Sequence, residues 1–289
     1  MNKKLLKRLK TISIVLIILL VVEVIYVLYA VLFKNTESLY FDSINSIENN
    51  SSNYVTVGSN NDNDKHYEKA KVSMYDKKKN KVFERLYNVG YNSAYFGVII
   101  DNDDIVAVGS YEQDESDHSD SIRKALIVKY DDTGEILFDE NFKILDNSKF
   151  TSIKAVDDGY IVVGSSVYKS TKLGSSEGGA ILVKYDKNGK LLWSKVFGNN
   201  KSSIFNDLLI KDNYIYVVGA IENNVGVICK YDMDGNLINS SNYSYTDDFG
   251  FSGITSINNS IYVSGSKKNN DSYNAVIVRY NLDCSYLSE

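Results

Sequence analysis

From residue 41 onward the chain alternates short apolar runs with polar breaks, and one five-residue run closed by glycine returns five times. It reads Tyr54-Val-Thr-Val-Gly58, Ile105-Val-Ala-Val-Gly109, Tyr160-Ile-Val-Val-Gly164, Ile215-Tyr-Val-Val-Gly219 and Ile261-Tyr-Val-Ser-Gly265. Short β-branched runs ended by a breaker predict strands. A second apolar run follows each copy and ends at Tyr75, Tyr130, Tyr185, Tyr231 or Tyr280, in four copies just after a base (Lys129, Lys184, Lys230, Arg279). Hairpin turns then stand at Asp131-Asp-Thr-Gly134, Asp186-Lys-Asn-Gly189 and Asp232-Met-Asp-Gly235, where aspartate opens the turn and glycine takes the positive φ. A further strand follows each turn, as in Lys190–Phe197.

Ahead of each glycine motif an aromatic precedes an aliphatic by three residues: Phe41/Ile44, Phe96/Ile99, Phe150/Ile153, Phe205/Leu208 and Phe251/Ile254. Small or polar residues lie between them, which suits a crowded inner strand. Each module therefore reads as four antiparallel strands, with steps of 51, 55, 55 and 46 residues between the motif glycines. That period matches a propeller blade. The expected fold is all-β, a five-bladed β-propeller over 41–289 with repeats starting near 41, 96, 150, 205 and 251. The weak point is closure, because the fifth copy ends in a stunted outer strand, Cys284-Ser-Tyr-Leu-Ser288.

The amino-terminal pattern is different. Residues 11–33 carry one charge, Glu23, and as a helix would reach roughly 34 Å, enough for a hydrocarbon core of about 30 Å. Its aliphatic and Phe side chains contribute about −7 kcal/mol to insertion against about +3 for the carboxylate, which predicts a transmembrane helix in a lipid bilayer. Lys3, Lys4, Lys7, Arg8 and Lys10 precede it and Lys34 alone follows closely. The positive-inside rule then makes 1–10 a basic cytoplasmic tail, 34–40 a short tether and the remainder extracytoplasmic, on the cell membrane. Glu23 is read first as a tolerated acid and second as a contact with a partner helix.

Charge narrows the partners. Without residues 1–34 the chain has 26 Lys and Arg against 36 Asp and Glu, a balance that argues against nucleic acid. Cys229 and Cys284 are the only cysteines, so packing rather than a disulfide framework must hold the fold.

The third copy, with Asp-Asp-Gly-Tyr160-Ile-Val-Val-Gly, Ile-Leu-Val-Lys-Tyr185-Asp-Lys-Asn-Gly and Leu-Leu-Trp193, resembles the repeats of bacterial surface β-propeller proteins. It is also loosely similar to quinoprotein-type blades. Trp193 is the only tryptophan, a departure from the quinoprotein pattern that leaves no support for a quinone, and no cofactor is expected. The resemblance implies a blade and not an activity.

Candidate chemistry is sparse. His66 and His118 fall in the loops between second and third strands of the first two copies, amid Asp62, Asp64, Asp114, Asp117 and their neighbours. Carboxylates with imidazoles could hold a divalent cation, while the plainer reading is a pair of solvated polar loops. Asp42 and Asp207 lie on predicted inner strands, where paired carboxylates could cleave a glycosidic bond. The leading expectation is a membrane-tethered binding or scaffold module for a surface protein or glycan. The alternative is a carbohydrate-active or metal-dependent enzyme using inner-strand or loop carboxylates.

Overall fold

The computed structural model describes residues 43–62, 67–113, 122–142, 147–169, 176–198, 203–221, 225–244, 249–269 and 272–289. The chain divides into Met1–Asp42 and Ser43–Glu289, and every described residue belongs to the second unit. The expected tail, transmembrane helix and tether, with Glu23, lie outside the described residues. Among the described residues no helix is long and apolar enough to cross a membrane.

Five four-stranded antiparallel sheets follow one another along the chain. Blade 1 holds β1 (Ser43–Asn49), β2 (Asn53–Asp62), β3 (Tyr67–Asp76) and β4 (Lys81–Leu86). Blade 2 holds β5 (Tyr91–Asp101), β6 (Asp104–Glu112), β7 (Arg123–Tyr130) and β8 (Ile136–Asn141). Blade 3 holds β9 (Lys149–Val156), β10 (Gly159–Lys169), β11 (Ser176–Asp186) and β12 (Leu191–Phe197). Blade 4 holds β13 (Ser203–Lys211), β14 (Tyr214–Ile221), β15 (Val225–Tyr231) and β16 (Leu237–Ser244). Blade 5 holds β17 (Phe249–Ile257), β18 (Ser260–Asn269), β19 (Ser272–Asn281) and β20 (Tyr286–Ser288), the last being the stunted strand. Within each blade the strands pair in chain order. This is the architecture of a five-bladed propeller.

The register explains the recurring glycine. Gly58, Gly109, Gly164, Gly219 and Gly265 pair with Ile44, Tyr95, Phe150, Phe205 and Phe251, and the inner strand bulges immediately afterwards in all five. At this approach a Cβ on Gly219 would lie 1.8 Å from the Ile204 carbonyl oxygen, so no side chain fits. The pairing also shifts the expected repeat. In blade 2 the buried aromatic is Tyr95, not Phe96, and in blade 1 the position is Ile44, not Phe41.

The repeated tyrosine is core. Tyr130, Tyr185, Tyr231 and Tyr280 are buried and meet Tyr95, Phe150, Phe205 and Phe251 edge to face, with centroids 6.2–6.5 Å apart. Each such pair contributes about 0.5–1.5 kcal/mol beyond its buried area. In blade 1, where Ile44 replaces the aromatic, Tyr75 stacks on Tyr54 at 5.0 Å instead. The hairpin turns are structural as well. Asp232 Oδ1 accepts from the backbone N–H groups of Asp234 and Asn236, and Gly235 has φ 75°. A Cβ there would lie 2.9 Å from Trp193, as one on Gly134 or Gly189 would press on Phe83 or Phe138. Trp193 thus covers the turn of the next blade.

Apolar clusters join blade 1 to 2, 2 to 3, 3 to 4 and 4 to 5. Among the described residues no comparable packing joins β17 to β1. Blade 1 turns a polar face to this seam, with Lys71 and Ser73 around Glu84, where the other blades place aliphatics such as Leu126 and Val128. Ile44 and Ile277, at the two sides of the seam, are 68% and 64% exposed. Polar outer faces on terminal repeats keep an array soluble.

Polar clamps add to the blade contacts. Asp101 of blade 2 accepts from Lys187 Nζ at 2.7 Å and from the Tyr160 hydroxyl at 2.9 Å. Burial raises the Asp101 pKa, but these two partners outweigh it and hold the carboxyl below the ordinary value. A depressed carboxylate stabilises the fold fully above its unfolded pKa of about 4, and the contribution fades as pH falls through the lower folded value. Asp101→Asn is therefore expected to lower stability at neutral pH while flattening the loss below about pH 4, as read by denaturant midpoints across the acid range.

Candidate functional site

The inner strands lie side by side around the axis, and the bulge residues of blades 1, 3 and 4 tie each of these blades to the next. Asn45 Nδ2 donates to the Tyr95 carbonyl at 2.7 Å, Thr151 Oγ1 to the Phe205 carbonyl at 2.7 Å, and Asn206 Nδ2 to the Phe251 carbonyl at 2.7 Å. The bulge residue of blade 5, Ser252, bonds within its own blade. Blade 2 breaks the series with Phe96, which has no donor to offer.

Asp207 follows the bulge of blade 4. Its carboxylate accepts from Ser152 Oγ of blade 3 at 2.9 Å, from its neighbour Leu208 N–H at 2.8 Å and from Ile254 N–H of blade 5 at 3.1 Å. These bonds span three blades at the axis. Asp207→Ala would leave the three donors without this acceptor, and about 2 kcal/mol of stability is the expected loss in chemical denaturation. Asp42, its suggested partner, lies outside the described residues.

Phe96 instead lines an open cavity of about 610 Å³ between blades 1 and 2. Around it stand Tyr67 and Glu68 at the start of β3, Asn92 near the start of β5, and Glu112 and Arg123 at the facing ends of β6 and β7. Glu112 is fixed by two donors, Asn92 Nδ2 at 2.7 Å and Arg123 Nη2 at 3.2 Å. Asn92 reaches it from a left-handed backbone, φ 42°, a conformation asparagine tolerates better than most residues. Glu68 is exposed and, among the described residues, its carboxylate has no ion-pair or hydrogen-bond partner. Tyr67 is held edge to face by Tyr91 at 5.1 Å.

The cavity thus combines an aromatic floor, amide groups and two carboxylates in different settings. Such a surface stacks against the apolar face of a ring while bonding its hydroxyls. Sequence reasoning assigned Phe96 to the repeat and passed over Glu68 and Glu112. The suggested metal ligands belong to the stretches between β2 and β3 and between β6 and β7, whose described neighbours Tyr67, Glu112 and Arg123 line the cavity. Asp62 ends β2, whereas Asp64, His66, Asp114, Asp117 and His118 lie outside the described residues. Among the described residues no three His, Cys, Asp or Glu side chains gather to hold a metal ion.

No family model and no curated protein matches the sequence. Solved structures do match. An acylaminoacyl peptidase of Pyrococcus horikoshii shares 11% identity over 86% of this chain, with a TM-score of 0.50, and this chain spans 39% of it. A GH43_1 enzyme of Xanthomonas citri shares 10% identity over 86% of this chain and 91% of its own, TM-score 0.48. A GH32 β-fructofuranosidase of Bombyx mori shares 11% over 83% and 60%, TM-score 0.48. At 11% identity the likeness to the peptidase concerns the fold alone. The acylaminoacyl peptidase is named as an enzyme, and the expectation of a membrane-tethered binding or scaffold module is withdrawn.

Proposed function

We propose that the chain is a carbohydrate-active enzyme whose substrate enters the cavity between blades 1 and 2. The observation that carries this reading is the cavity itself: the bulge position that carries a donor in blades 1, 3 and 4 is held in blade 2 by Phe96, which lines the cavity beside Glu68 and Glu112. Local departures from a repeat concentrate at functional sites. Glycosidic cleavage needs one carboxyl to protonate the leaving oxygen and a second to attack or to activate water. Glu112, oriented by Asn92 and Arg123, suits the attacking or activating role. Glu68, free of such partners, suits proton delivery to a leaving group.

In the same proposal residues 11–33 span the membrane, the tail stays cytoplasmic and the propeller faces outward on a short tether, as in bacterial surface repeat proteins. A propeller so placed would meet envelope or environmental glycans. The test is to incubate the full chain with a panel of polysaccharides and measure released reducing ends. Turnover of at least one member is expected, and Phe96→Ala should raise its KM about tenfold, the equivalent of one lost stacking contact near 1.4 kcal/mol. A panel without turnover would contradict the reading.

A further inference from the structure

We infer that the cavity between blades 1 and 2 selects a saccharide with an acidic substituent, recognised by Lys149 and Arg123. The inference rests on the carbohydrate reading above and adds the substrate's charge. It begins with where the chain brings the two cations. The start of β9 is fastened to the start of β7, because Ser148 N–H donates to the Arg123 carbonyl at 3.1 Å and Arg123 N–H to Asn147 Oδ1 at 3.2 Å. Lys149 therefore leaves blade 3 beside Arg123, and its ammonium lies 5.9 Å from the centroid of the Phe96 ring that lines the cavity.

This lysine differs from several others of the same two blades. Lys129 and Lys184 meet Asp104 and Asp158 within their own blades, and Lys187 meets Asp101 of the preceding blade, all at 2.7–2.8 Å. Lys149 is half-buried and, among the described residues, has no carboxylate at ion-pair distance. Burial first, and then the charge of Arg123, hold its pKa below the ordinary lysine value. Arg123 gives one bond to Glu112, which leaves further guanidinium donors for a ligand. The charge of Arg123 disfavours the ammonium of Lys149, and an anion bound beside Lys149 would relieve it. A sugar ring on Phe96 would carry its substituents within reach of these groups. Charge-assisted bonds to a carboxylate or sulfate would then distinguish acidic from neutral sugars.

The test compares three probes of equal length on the full chain by calorimetry: a uronate oligosaccharide, a sulfated oligosaccharide and a neutral oligosaccharide. At least one acidic probe should bind about tenfold more tightly than the neutral one, and the uronate and sulfate arms identify which substituent is preferred. Lys149→Gln should collapse that ratio toward one, while Lys149→Arg should retain it. If acidic and neutral probes bind equally, or the ratio survives Lys149→Gln, the inference is overturned and the carbohydrate reading stands. Absence of binding by all three probes would overturn both.

Discussion

Glu112→Gln is expected to lower turnover of the responding polysaccharide by about 10²–10⁴-fold, the usual span for a lost acid–base or charge-stabilising group. The amide keeps nearly the shape of the carboxylate but cannot attack, accept a proton or pair with Arg123. Folding should be almost unaffected. The Glu112–Arg123 pair sits at the open cavity, with Arg123 side-chain exposure at 49%, and pairs of this kind contribute about 0–1 kcal/mol. An unchanged melting temperature beside lost activity would therefore place Glu112 in the chemistry. A variant with full activity would remove it. Glu68→Gln gives a useful contrast, since an acid needed for leaving-group protonation matters most for substrates with poor leaving groups. Activated aryl glycosides should then tolerate Glu68→Gln better than the polysaccharide does.

The second large effect concerns the fold and lies away from the cavity. Gly219→Ala forces a methyl group to within 1.8 Å of the Ile204 carbonyl oxygen. Backbone on both sides fixes this approach, because Phe205 pairs with Gly219 and the bulge follows at once. Relief requires β13 and β14 to separate, and β13 also supplies Asn206 and Asp207 to the ties between blades. A loss of about 3 kcal/mol is expected, roughly 10 °C in melting temperature for a domain of this size. A melting temperature shifted by less than about 1 °C would show that the strands relax at little cost and that the recurring glycine has another basis.

These two variants separate what the sequence makes legible from what it hides. The glycine, the strand-end tyrosine and the aspartate turns recur, so five copies reveal strands, turns and blade count together. Their physical reasons repeat as well: a close backbone approach, an edge-to-face ring pair and a positive φ. The seam was legible only as a stunted last strand. The polar face around Glu84 becomes meaningful once β3 is aligned with β7, where Lys71 and Ser73 stand for Leu126 and Val128.

The cavity was hidden for the opposite reason, because its residues are exceptions to the repeat. Phe96 adjoins Tyr95 and passes for the repeated aromatic, although Tyr95 is the buried one. One signal was available. Ile44, Tyr95, Phe150, Phe205 and Phe251 each stand 14 residues before their motif glycine, and that constant interval leaves Phe96 on the bulge. Glu68 and Glu112 occupy strand ends beside the acidic loops, where charge alone says little. Asp207 attracted notice as an inner-strand acid, but no pattern in the sequence announces its three donors on three blades.

The most direct measurement is a crystal structure of the Glu112→Gln variant with an oligosaccharide drawn from a polysaccharide that the unmodified chain cleaves. The account predicts a sugar ring against Phe96, with the scissile oxygen near Glu68 and the anomeric carbon facing residue 112. A saccharide bound instead at the axis beside Asp207, or across the exposed seam between blades 5 and 1, would contradict it.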